Sequence, residues 1–61
     1  MKTDKEKYLT ALKNNKGQLD EIAVGETLGF TDERTRKIIE ELEKDGVIEF
    51  QSFGLCNYRV R

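Results

Sequence analysis

The reactive side chains of this sequence are its carboxylates, its cationic groups and one thiol. The 61 residues include 12 Asp and Glu, 11 Lys and Arg, a single cysteine, Cys56, and no histidine. Without histidine or a CxxC pair, zinc hydrolysis, a Ser-His relay and dithiol redox chemistry all lack their parts. A chain of this length also offers few walls for an enclosed substrate cleft. We therefore predict no catalytic residues, no metal site and no cofactor, and a protein that is not an enzyme.

A short basic cluster is the best candidate for binding. Arg34, Arg36 and Lys37 occur together, shortly after Glu33. Arginine can pair bidentately with guanine, and glutamate can accept a hydrogen bond from cytosine N4, so these residue types suit base recognition. The chain as a whole carries a net charge of −1, so no global positive field attracts nucleic acid to it. Any nucleic-acid contact must therefore be local.

Three helices are predicted to position this cluster. Apolar residues recur at helical spacing over about 4–15, 20–28 and 32–45. Each segment is preceded by a side chain that can cap a helix start and followed by a glycine that can end it. These pairs are Thr3 and Gly17, Asp20 and Gly29, and Thr31 and Gly46.

The third predicted helix has a core face and an outer stripe. The core face comprises Thr35, Ile38, Ile39 and Leu42. At about 100° per residue, the outer stripe comprises Glu33, Lys37, Glu40 and Lys44. These four residues form two i,i+4 pairs in the favourable order, worth roughly 0.2–0.5 kcal/mol each, so a solvated helix surface is an alternative explanation for their charges. Arg34 and Arg36 flank the core face, from which they could reach phosphates on either side of a groove.

The period of the apolar residues changes from 3.6 to 2 after the third helix, which predicts a hairpin. Pairing Phe50 with Tyr58 and Ile48 with Val60 places these four side chains on one face. This register centres the turn on Gly54. We expect the paired face to pack against the helices.

Residues 20–60 resemble the winged helix-turn-helix domains of bacterial transcription regulators. Their helix-turn-helix spacing is carried by Val24, Leu28, Phe30, Thr35 and Ile38, with the small Gly25 among them. We expect Gly25 to let the third helix approach the second closely. The stretch 42–48, Leu-Glu-Lys-Asp-Gly-Val-Ile, is similar to the family's link from recognition helix to wing, and 58–60, Tyr-Arg-Val, to the wing's return strand.

The resemblance implies an α+β fold in which a three-helix core carries a C-terminal two-stranded β-hairpin wing, about 47–61, within a single domain, 1–61. It also implies a sequence-specific or general DNA-binding protein, a small bacterial transcriptional regulator or a mobile-element accessory protein. In this family the third helix enters the major groove of double-stranded DNA. The expected contacts are Thr31, Glu33, Arg34, Arg36, Lys37 and Arg59.

Two features of the hairpin keep other functions open. The wing contains no Lys or Arg from 50 to 58, and the apolar Phe53 and Leu55 flank its tip. A protein-interaction or dimerisation module is therefore the alternative, with a homodimer or a larger protein as partner and Phe53 and Leu55 as the interface. Single-stranded DNA stacking on the tip is a further variant, and Phe53 and Leu55 can instead fold back onto the core. Arg59 can instead protect an exposed edge strand with its charge.

Composition also bears on compartment and partners. The five lysines of residues 1–19 can add phosphate contacts or keep a small domain soluble, and we favour solubility. The unbridged Cys56 fits a reducing compartment. The longest strictly apolar run, 22–24, is too short for a membrane span or a signal-peptide core. We expect a cytoplasmic protein with no membrane partner and no small-molecule substrate.

Overall fold

Three helices followed by a C-terminal pair of antiparallel strands form an α+β structure in the computed structural model, which describes residues 3–52 and 54–61. The elements are α1 (Asp4–Asn15), α2 (Glu21–Thr27), α3 (Asp32–Lys44), β1 (Ile48–Phe50) and β2 (Tyr58–Val60). The first helix has the predicted bounds. The other two are slightly shorter, because Asp20, Leu28 and Asp45 are cap residues outside the helices. The predicted hairpin is also largely loop, since each strand has only three residues.

The helix starts are fixed by the side chains that the sequence predicts as N-caps. The side-chain oxygens of Thr3, Asp20 and Thr31 accept hydrogen bonds from backbone N–H groups three residues later, at 3.2, 2.7 and 3.1 Å. Gly46, with φ 77°, ends α3. There the N–H of Val47 donates to the carbonyl of Leu42 at 3.2 Å, which satisfies a carbonyl that the helix leaves without a partner.

The core lies where the three helices meet the sheet. Its buried apolar residues are Tyr8, Leu12, Val24, Ile38, Ile39, Leu42, Ile48 and Cys56. The predicted core face of α3 is confirmed, because Thr35 is buried as well as the three aliphatic residues. The hydroxyl of Tyr8 donates to the carbonyl of Glu21 at 2.7 Å and so joins α1 to the start of α2. Burial raises the pKa of this hydroxyl above its ordinary value.

Helices α2 and α3 meet at Gly25 and Thr35. A Cβ atom placed on Gly25 would lie 2.0 Å from Oγ1 and 2.6 Å from Cγ2 of Thr35. The expected close approach of the two helices is therefore confirmed. The Thr35 hydroxyl donates to the carbonyl of Thr31 at 2.9 Å, so this polar group is satisfied although it is buried.

The strand register is as predicted, but one side chain is not where the alternation places it. Ile48 pairs with Val60 and Phe50 with Tyr58. Ile48 is buried, whereas Phe50 is 61% exposed and meets the Tyr58 ring edge-on, with centroids 5.8 Å apart. The expectation that Phe50 packs on the helices is wrong, because the apolar cluster of the core includes Ile48 and extends to Tyr58 and Val60 but not to Phe50.

The remaining packing of the hairpin involves Cys56. Its thiol is buried and donates to the carbonyl of Tyr58 at 3.1 Å. Burial raises the pKa of this thiol, which favours its neutral form and suits a small core residue.

Among residues 3–52 and 54–61, no helix combines the length and apolar character needed to cross a membrane.

Candidate nucleic-acid interface

Five of the six predicted contacts lie at the start of α3, and Thr31 has a structural role there as its N-cap. Its hydroxyl accepts from the N–H of Arg34, and its carbonyl accepts from both the N–H and the hydroxyl of Thr35. Thr31 is exposed, yet its hydroxyl oxygen and its carbonyl oxygen both accept hydrogen bonds that stabilise the start of the helix. It therefore positions the basic residues that follow it.

Arg34 is held by a carboxylate from another helix. Its Nη2 lies 3.2 Å from Oδ2 of Asp4, and the two side chains are 45% and 43% exposed. This ion pair links the first turns of α1 and α3. An exposed pair of this kind contributes only about 0–1 kcal/mol, so a phosphate can replace the carboxylate at little cost.

Arg36 and Lys37 are exposed and, within the described part of the chain, neither takes part in an ion pair. Arg36 lies on a surface groove of about 410 Å³ between α2 and α3. Three glutamates share that groove, namely Glu21, Glu40 and Glu43. One of them is already engaged, because the Glu21 carboxylate accepts from the backbone N–H of Asn57 at 3.1 Å.

The outer stripe of α3 is exposed at all four predicted positions, Glu33, Lys37, Glu40 and Lys44. The i,i+4 ion pairs that the spacing allows are not formed among the described residues. Glu33 projects from the first turn of α3 and forms no ion pair with a cation among residues 3–52 and 54–61. Its position is compatible with either a solvated surface or contact with a base edge.

Arg59 lies apart from the α3 cluster. Its guanidinium is ion-paired with Glu49 on the neighbouring strand, and Nε of Arg61 lies 3.3 Å from the same carboxylate. The hydrogen bond from Arg59 holds the pKa of Glu49 below its ordinary value. Arg59 belongs to a second groove, with Lys13, Lys16 and Arg61, that does not include any residue of α3.

The sequence alone did not predict that four cations would share one groove, namely Lys13, Lys16, Arg59 and Arg61. The available signal was the concentration of five lysines in residues 1–19. Residues of α1 and β2 are more than 40 positions apart, and their proximity depends on the fold.

The tip of the hairpin is apolar where it is described. Leu55 is 67% exposed, and Phe50 is also exposed at the end of β1. The other predicted interface residue, Phe53, lies outside the described residues.

Among residues 3–52 and 54–61, no group of His, Cys, Asp and Glu side chains is arranged to hold a metal ion.

No protein-family model matches the chain, and no curated protein or solved structure is significantly similar to it.

Proposed function

We propose that this chain is a winged helix-turn-helix protein that binds double-stranded DNA by placing α3 in the major groove. The observation that carries the proposal is the tight packing of α2 on α3 at Gly25 and Thr35, which leaves Arg36 and Lys37 exposed. In this interpretation the β1–β2 hairpin is the wing. A small bacterial transcriptional regulator or a mobile-element accessory protein is the corresponding biological role.

The dimensions and exposure of α3 support this docking. At 1.5 Å per residue, its 13 residues extend about 20 Å, and a major groove about 12 Å wide accepts one α-helix. The buried face of α3 is used by the core, so the opposite face in its N-terminal half is available to DNA. In helix-turn-helix complexes the N-terminal residues of the recognition helix contact base edges. Glu33, Arg36 and Lys37 occupy that part of α3.

The charge around the first half of α3 predicts a modest affinity. Arg34, Arg36 and Lys37 are opposed by Asp32, Glu33 and the Asp4 that pairs with Arg34. This region therefore has no surplus positive charge until DNA displaces Asp4. Two copies bound side by side, or a larger assembly, would multiply the affinity of one domain.

A titration of a fluorescent mixed-sequence duplex at roughly 50 mM salt tests the proposal, because phosphate contacts make binding salt-dependent. We expect the wild type to bind with a negative salt slope. The double variant Arg36→Gln/Lys37→Gln should bind roughly ten-fold more weakly, since each lost phosphate contact lowers the affinity several-fold at this ionic strength.

The matched control is Lys7→Gln/Lys44→Gln, which removes the same charge from exposed positions on α1 and at the far end of α3. It should bind nearly as well as the wild type. No binding by the wild type, binding without salt dependence, or an equal loss in the control would contradict a DNA contact at the start of α3.

The exposed hairpin favours a second candidate, a protein-interaction or dimerisation module. Phe50 and Leu55 are the most exposed large apolar residues in the described part of the chain, at 61% and 67%, and both belong to the hairpin. Apolar residues grouped on a surface can mark an interaction site. If the hairpin mediates self-association, sedimentation velocity should detect a dimer that Leu55→Ser weakens. Leu19→Ser, at a residue that is 42% exposed, is the control and should not change it. A monomer at high micromolar concentration would exclude self-association.

A further inference from the structure

A second basic surface lies between the end of α1 and the edge of β2. This groove, called here the α1–β2 groove, has a volume of about 440 Å³. Four of its lining residues are cationic, and none is a carboxylate. The cations are Lys13, Lys16, Arg59 and Arg61. Since no residue of α3 contributes to it, the groove is separate from the site proposed above.

The chain holds both walls of the groove in place. On one wall, Lys16 adopts a left-handed conformation with φ 51° at the end of α1. The Asn15 side chain then fixes the following turn, because its Nδ2 donates to the Leu19 carbonyl at 2.8 Å and its Oδ1 accepts from the Leu19 N–H at 2.9 Å. These bonds hold the turn that carries Lys16, whereas Lys13 lies in the last turn of α1.

The other wall is the unpaired edge of β2. The N–H of Arg61 donates to Val47 and the N–H of Gln51 donates to Asn57, so residues of odd number make the bonds between the strands. In an antiparallel pair the alternate residues direct their N–H groups outward. Those of Tyr58 and Val60 therefore point away from β1, toward the edge where these residues line the groove. They add hydrogen-bond donors to the edge, beside the carbonyls of the same two residues, which also point away from β1.

The balance of charge favours an anionic ligand. Glu49 pairs with Arg59 and Arg61 and offsets one of the four positive charges. Neither Lys13 nor Lys16 is ion-paired within the described residues. A surplus of three positive charges is thus concentrated here on a chain whose net charge is −1. The first half of α3 has no such surplus.

We propose that the α1–β2 groove binds the phosphodiester backbone of a nucleic acid. The inference rests on the proposed DNA-binding function and adds a second contact to it, distant in sequence from α3. The groove is open to solvent and has cations on both walls. Such a groove can contact successive phosphates along a polyanion, whereas a compact anion is better bound in an enclosed site. The residues that line the groove also include Leu12, Tyr58 and Val60, which carry no charge.

The test compares Lys13→Gln/Lys16→Gln with the Lys7→Gln/Lys44→Gln control in the same duplex titration. All four lysines are exposed, so thermal unfolding should be nearly unchanged in both variants. Loss of two phosphate contacts should reduce the magnitude of the salt slope by about 1.8 and weaken binding roughly ten-fold at the same roughly 50 mM salt. The control should retain the wild-type slope.

The two proposals fail in different ways. If Lys13→Gln/Lys16→Gln matches the wild type while Arg36→Gln/Lys37→Gln binds weakly, the groove inference is wrong and α3 remains the contact. If the reverse holds, the groove inference stands and the docking of α3 is wrong. A wild type that binds no nucleic acid overturns both.

An NMR titration of the labelled protein with two separate ligands distinguishes a nucleic-acid backbone from a compact phosphate. Sodium tripolyphosphate, matched to the duplex in phosphate concentration, should perturb the Gly17 amide resonance much less than the duplex does. A larger effect of tripolyphosphate, with none from the duplex, would assign the groove to a compact anion and overturn the inference.

Discussion

Gly25→Ala should destabilise the protein by about 2–3 kcal/mol, the range of an overpacked core, although alanine is the better helix former by about 1 kcal/mol. The added methyl group would lie 2.0 Å from Oγ1 of Thr35. Thr35 cannot easily move away, because its side chain is buried, branched at Cβ and hydrogen-bonded to Thr31. The measurement is the free energy of unfolding from urea denaturation.

The control for this substitution is Glu26→Ala, at the next, exposed position of α2, which should change the stability by less than about 0.5 kcal/mol. For a 61-residue protein the total stability is about 3–9 kcal/mol, so the loss in Gly25→Ala is a large part of it. If Gly25→Ala instead raised the stability, α2 and α3 would not pack at the observed distance.

Neighbouring substitutions on opposite faces of α3 should separate stability from binding. Ile38 is fully buried, and Ile38→Ala should cost about 2–5 kcal/mol of unfolding free energy through lost burial and the remaining cavity. Lys37 is exposed, and Lys37→Ala should alter stability by less than about 0.5 kcal/mol while weakening duplex binding several-fold. Urea denaturation and the anisotropy titration measure the two effects.

Either of two results for Lys37→Ala would contradict the role proposed for this residue. A large loss of stability in Lys37→Ala would mean that this side chain has a structural role. Unchanged duplex binding in Lys37→Ala, with the fold intact, would remove Lys37 from the proposed interface.

The helix boundaries could be predicted from sequence because their determinants are local. Thr3, Asp20 and Thr31 each cap a helix through a bond that spans three residues, and Gly46 ends α3 with a positive φ. The strand register follows from the alternation of Ile48 and its neighbours in the same way. Such features depend on the few residues around them, so a single sequence is sufficient.

The features missed by sequence depend on distant parts of the chain. The Arg34–Asp4 pair joins residues 30 positions apart, and it removes part of the charge expected at the start of α3. The exposure of Phe50 reflects how far the helical layer extends, which alternation alone does not encode. The α1–β2 groove likewise requires the end of α1 to lie beside β2.

Two local groups of exposed cations would allow a chain of net charge −1 to make the proposed contacts with DNA. Its acids are concentrated in the second half of α3 and around α2, while cations are exposed at the start of α3 and in the α1–β2 groove. Local electrostatic contact of this kind depends strongly on salt, because exposed charges are screened within about 10 Å at 0.1 M.

The most direct measurement of the α3 contact is a heteronuclear NMR titration of the labelled protein with a short duplex at low salt. If α3 enters the major groove, the largest chemical-shift changes outside the α1–β2 groove should occur in the backbone amides of residues 31–37 and the side chain of Arg36. A titration in which the duplex binds but the resonances of residues 31–37 do not move, or in which no resonance moves at all, would contradict the proposed DNA-binding role of α3.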